Sequence, residues 1–147
     1  MGRGVHEGEI MKRAAWAGLA YFGIVFAAGF GLGVLRVLVM APSVGEIASV
    51  VIELPVILAV SWVVCRWLIK RFGVPKDMTA RLVMGGLAFV VLLGAEAGVS
   101  VFGFGRTLSA HLEQHRQLPA LIGLLGQVVF ASFPLLQRTN KIEHRPS

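Results

Sequence analysis

This chain is short of charge. Only 15% of its 147 residues are Asp, Glu, Lys or Arg, while 56% are hydrophobic; soluble domains carry about 25% charged and roughly 45–50% apolar residues. The long apolar blocks also lack polar residues interleaved at helical or strand period, which excludes a soluble fold around one large core. A single cysteine, Cys65, excludes an intramolecular disulfide and reads as apolar filler. There is no P-loop, no Gly-x-Gly-x-x-Gly after a strand and no nucleophile elbow. Neither a cofactor nor enzymatic chemistry is therefore expected, and the glycines of "GFGLG" and "GFGRT" are assigned to helix packing.

What charge exists is unbalanced. The net charge is +6 and the pI about 10.5, values that would point to nucleic acid if the cations shared a soluble face. Most instead lie at the ends of apolar runs, where positive charge sets orientation in a bilayer. The partner they imply is the lipid bilayer, not nucleic acid.

About 20 apolar residues cross the hydrocarbon core as a helix, and four runs qualify: 14–35, 47–69, 82–105 and 118–136. A barrel would show alternating segments of about ten residues, and unpaired backbone is not tolerated in hydrocarbon. The expected fold is an all-α, four-helix transmembrane bundle running up-down-up-down. Residues 1–13 form a cytoplasmic segment, 14–136 the transmembrane domain and 137–147 a basic cytoplasmic tail. Lys12 and Arg13 precede the first run as in a signal sequence, but that run exceeds the roughly 7–15 residues of a cleavable core and no A-x-A site follows. It is expected to stay as the first span.

Eleven of the fourteen Lys and Arg belong to one side: Arg3, Lys12 and Arg13; Arg66, Lys70, Arg71, Lys76 and Arg81; Arg138, Lys141 and Arg145. Arg36, Arg106 and Arg116 belong to the other, so both termini are expected in the cytoplasm, with Trp16, Trp62 and Trp67 near the inner leaflet. In "RFGVPKDMTAR", Gly73 and Pro75 end one helix and Asp77 or Thr79 caps the next. "GLAYF" at 18–22 and "GLAFV" at 86–90 are similar, and two parallel hairpins made by duplication would explain such an echo.

Two acids interrupt the apolar runs. At 1.5 Å per residue, Glu53 lies roughly 9 Å inside the outer end of span two, and Glu96 roughly 21 Å up span three in a core about 30 Å thick. Arg36 and Arg106 are within snorkelling reach of that level, and Gln127 is in the upper middle of span four. Arg36, Glu53, Glu96, Arg106 and Gln127 are expected to form one polar layer, with Arg36 paired to Glu53 and Arg106 to Glu96, since ionisable groups in hydrocarbon seek a partner, water or the bundle interior. Gly85, Leu92, Glu96, Ser100 and Gly103 share one stripe of span three. Pro55 is expected to kink span two beside Glu53, because it removes a helix hydrogen bond.

Gly29 with Gly33, and Gly94 with Gly98, form G-x-x-x-G pairs suited to close helix packing, within the chain or between two copies. His111 and His115 are one turn apart in "HLEQH", yet a third ligand is absent nearby, so no metal site is expected. The expected role is a non-enzymatic module of a bacterial cytoplasmic (inner) membrane, such as an accessory or assembly subunit with an unidentified membrane partner. The alternative is a small proton- or ion-coupled transporter acting as a homo-oligomer through the outer-half carboxylates.

Overall fold

The structure is a computed structural model that describes residues 2–114 and 116–137, and among these it is helical with no strand. Four helices are long and apolar enough to cross a membrane: α1 (Gly2–Val44), α2 (Glu46–Phe72), α3 (Met78–Gly103) and, after the short α4 (Leu108–Gln114), α5 (Leu118–Leu136). Within the apolar stretches many large apolar side chains face outward, with Val63, Val90 and Leu125 each about two-thirds exposed. Such a surface is stable against lipid and not against water.

Helices α1, α2 and α3 begin before the apolar segments that announce them, whereas α5 coincides with the expected 118–136. The 43 residues of α1 extend about 65 Å, the helix continuing on both sides of the apolar run, through residues 2–13 and 36–44. The expected linker after span one is helical except for Gly45. This residue joins α1 to α2 with φ +89°, a conformation that L side chains rarely adopt.

The α2–α3 connection is equally tight. Gly73 has φ +61°, its N–H donates to the Lys70 carbonyl, and Val74 N–H donates to that of Ile69, the paired bonds of a Schellman ending. Asp77 then caps α3, its carboxylate accepting from Ala80 N at 3.1 Å. Arg81, expected among the orienting cations, is 2% exposed and turned into this loop. Its Nε donates to Pro75 O at 2.8 Å and its Nη2 to Val74 O at 3.2 Å.

Side by side, α1 packs on α2 and α3, and α5 packs on the same two helices. The bundle is thus a ring in which α2 and α3, neighbours in sequence, occupy opposite corners. Two duplicated hairpins related by an axis along the bundle would place α1 and α3 at opposite corners. They are adjacent instead, so the "GLAYF"/"GLAFV" echo has no counterpart in the packing.

A glycine stands at each edge of the ring. A Cβ at Gly18 in α1 would come 2.7 Å from the Met84 carbonyl oxygen of α3, one at Gly85 in α3 would strike the Ala131 carbonyl of α5, and one at Gly126 in α5 would strike Leu54 of α2. Gly29 closes the fourth edge, 3.7 Å from Ile57 of α2 on the same measure. Lipid is as apolar as Leu, so close backbone approach of this kind supplies much of the helix association.

The densest core lies toward the end that carries the α2–α3 loop, where Ala14, Ala17, Cys65, Ala80 and Met84 are fully buried. At its centre Tyr21 of α1 reaches across the ring. Its hydroxyl donates to Phe130 O at 2.9 Å, and its ring stacks on that of Phe130 at 4.2 Å. The bond has a cause in the sequence: four residues after Phe130 comes Pro134, which has no N–H to offer that carbonyl.

Candidate functional site

Toward the Gly45 end the ring opens. The four long helices part around a cavity of about 840 Å³, floored by Phe130 and Ser61. Arg36, Glu53, Glu96, Arg106 and Gln127 all line it.

Arg36 opens a five-residue π-helical turn, Arg36–Met40, in which Ala41 N–H donates to the Arg36 carbonyl. The turn ends just before Pro42, whose ring cannot sit against the carbonyl four residues back in a regular α-helix. Arg36 Nε stands 2.8 Å from Glu53 Oε2, and the two side chains are 29% and 16% exposed. This is an ion pair by distance without the alignment of a hydrogen bond.

Glu96 is joined to another member of the expected layer. Gln127 of α5 donates to it from Nε2, at 2.6 Å from Oε1, because α3 packs on α5 and the two side chains face each other across that edge. Arg106 lies beyond the helical part of α3 with its guanidinium 5.8 Å from the centre of the Phe104 ring. Its backbone N–H returns to the Ser100 carbonyl. Ser100 sits in a second π-helical turn, Val99–Gly103, and π turns collect at functional sites.

Ser100 and Glu46 are lining residues that the five-residue layer leaves out. Ser100 is legible as the hydroxyl one turn beyond Glu96; Glu46 looks like a helix-end acid, and only the single-residue hinge at Gly45 brings it to the rim. Pro55 sits inside α2, which continues as helix from Glu46 to Phe72, and is not among the lining residues. The carbonyl it deprives belongs to Val51, a half-exposed residue on the outside of the ring. Gly29 and Gly33 line the cavity, with open space where a Cβ would stand at Gly33. Gly94 and Gly98 likewise have no atom within 4 Å of such a Cβ. His115, and with it the His111–His115 pair, lies outside the described residues, as do Arg138, Lys141 and Arg145.

Compared with known protein families, curated proteins and solved structures, the chain matches none. The cavity's own chemistry is therefore the ground for a functional reading.

Proposed function

We propose that this chain is a small non-enzymatic module of a bacterial inner membrane, with both termini in the cytoplasm and its helices running up-down-up-down, and that the polar cavity is its working part. One observation carries the reading: a charged and hydrogen-bonding layer lines a single cavity of about 840 Å³ inside helices whose outer faces are apolar. Ionisable groups at such depth are costly and are retained where they meet a partner, water or a ligand. As an accessory or assembly subunit, the protein would hold part of another membrane molecule in that cavity.

Contacts that run in opposite senses along α1 and α2, Gly29 with Ile57 and then Arg36 with Glu53, support the alternating course. Arg66, Lys70, Arg71 and Lys76, at the loop end with the exposed Trp16 and Trp67, support the cytoplasmic assignment of that end. A reporter active only in the periplasm, fused at the C-terminus, is expected to be silent; strong activity would reverse the orientation. Gentle extraction at native expression, followed by mass spectrometry, is expected to yield a stoichiometric companion that Glu53→Ala and Glu96→Ala reduce. Full retention by both variants would remove the layer from that role.

A second reading is favoured by the cavity's volume within one chain. In a proton- or ion-coupled transporter, Glu96 would carry the proton and Glu53, beside Arg36, would gate it. Glu96→Gln should then abolish proton-coupled uptake in reconstituted vesicles, and unchanged uptake would exclude the role.

A further inference from the structure

The charged residues lining the cavity are three carboxylates, Glu46, Glu53 and Glu96, and two guanidiniums, Arg36 and Arg106, a formal balance of one negative charge. Three buried polar atoms of the lining have no hydrogen-bond partner among the described residues: Arg36 Nε, which is already ion-paired with Glu53, and the two acceptors Ser100 Oγ and Gln127 Oε1. The orientation of Gln127 follows from its neighbour. A carboxylate only accepts, so the amide nitrogen turns to Glu96 and the amide oxygen is left as an acceptor. Ser100 lies one helical turn beyond Glu96 on the same face of α3, is 7% exposed and lines the cavity. The Glu96 carboxylate, the Gln127 amide oxygen and the Ser100 hydroxyl thus make a ledge of acceptors, set among apolar side chains such as Phe26, Leu92 and Phe130.

Buried acceptors are satisfied by N–H or O–H groups, and a negative balance at low dielectric favours a cation. Resting on the reading of the cavity as the working site, we propose that it binds a lipid-soluble small molecule with a primary ammonium head. The ammonium donates to Ser100 Oγ, Gln127 Oε1 and the Glu96 carboxylate, and the alkyl body lies along the apolar wall. A quaternary ammonium carries the same charge without a donor and leaves the ledge unsatisfied. An anionic amphiphile opposes the carboxylates.

The test is equilibrium binding of radiolabelled dodecylammonium to the full chain in phosphatidylcholine nanodiscs. Saturable binding near one per chain is expected, with dodecyltrimethylammonium at least about tenfold weaker, the scale of one well-made hydrogen bond, and dodecyl phosphate not bound. Ser100→Ala, which removes only the unpartnered hydroxyl, and Gln127→Leu should each weaken dodecylammonium by about tenfold. Gly123→Leu, which adds a side chain to the lining where a Cβ meets nothing within 4 Å, should abolish it; gel filtration shows that each variant is folded. Equal affinity for the trimethyl probe, or wild-type affinity in both Ser100→Ala and Gln127→Leu, overturns the proposal. Weaker apparent binding in phosphatidylethanolamine nanodiscs assigns the ammonium to a lipid headgroup, and unchanged binding assigns it to a free amine; either result supports the site. If dodecylammonium fails to bind while Gly123→Leu still strips a natural companion in the extraction experiment, the ligand class is wrong and the cavity reading stands. If Gly123→Leu changes neither, both fall.

Discussion

Phe130 owes its partner to a proline. With no N–H at Pro134, the buried carbonyl of Phe130 would stand empty in the middle of the bundle, and Tyr21 fills it from the opposite corner of the ring. Tyr21→Phe should therefore cost about 1–3 kcal/mol, the desolvation cost of a buried acceptor left without a donor, measured by reversible unfolding in detergent. Pro134→Ala restores the N–H, so the same Tyr21→Phe change should cost clearly less in that background; an equal cost in both would refute the link between the two residues. Arg81 is a second residue whose place overrides its type. By charge it belongs with the cations that orient the chain, yet it is buried and joins the loop carbonyls of Val74 and Pro75. Arg81→Gln should lower stability by about 2–3 kcal/mol, in the range of hydrogen bonds to a charged group, with faster proteolysis between Gly73 and Asp77 as the check. No pattern in the sequence separates this arginine from its neighbours, because burial is decided by how the loop folds back over it.

At the level of elements, the four long helices were legible as apolar runs, since lipid imposes length and composition together. Their ends were less so. Gly45 turns the chain within one residue, and both flanks of the first apolar run, residues 2–13 and 36–44, remain helical. The capping of α3 by Asp77 was readable from residue type and spacing. Glycine contacts were not: G-x-x-x-G spacing places Gly94 and Gly98 on one face but does not say what that face meets. In the structure the tight approaches fall at Gly18, Gly85 and Gly126. Gly85→Ala, which drives a methyl into the Ala131 backbone, should destabilise most, followed by Gly18→Ala against the Met84 carbonyl. Gly126→Ala meets only the end of the Leu54 side chain and should cost less. Gly94→Ala and Gly98→Ala should be neutral or stabilising by up to about 1 kcal/mol, because Ala gains helix propensity where space is open. Folded yield and unfolding midpoints across the five variants give the order, and a large loss at Gly94 or Gly98 alone would point to a contact with a second copy.

For the whole molecule, counting depth along helices brings Arg36 and Glu53 to one level, and the structure sets them 2.8 Å apart. The same counting does not reveal the contact between Glu96 and Gln127. Glu96 meets Gln127 because α3 packs against α5, and ring order is a packing outcome that no single apolar run encodes. The bundle closes at the loop end, where Ala14, Ala17, Ala80 and Met84 are fully buried, and opens around the polar layer at the other. A module that holds another molecule should depend on that opening, whereas one that merely pads the bilayer should not. The most direct measurement is native mass spectrometry of the gently extracted chain at native expression, wild type beside Gly123→Leu. The account predicts a stoichiometric bound species, small molecule or polypeptide, on the wild type and its loss from an equally folded variant. A wild-type chain that travels alone, or a companion that Gly123→Leu leaves undisturbed, would contradict it.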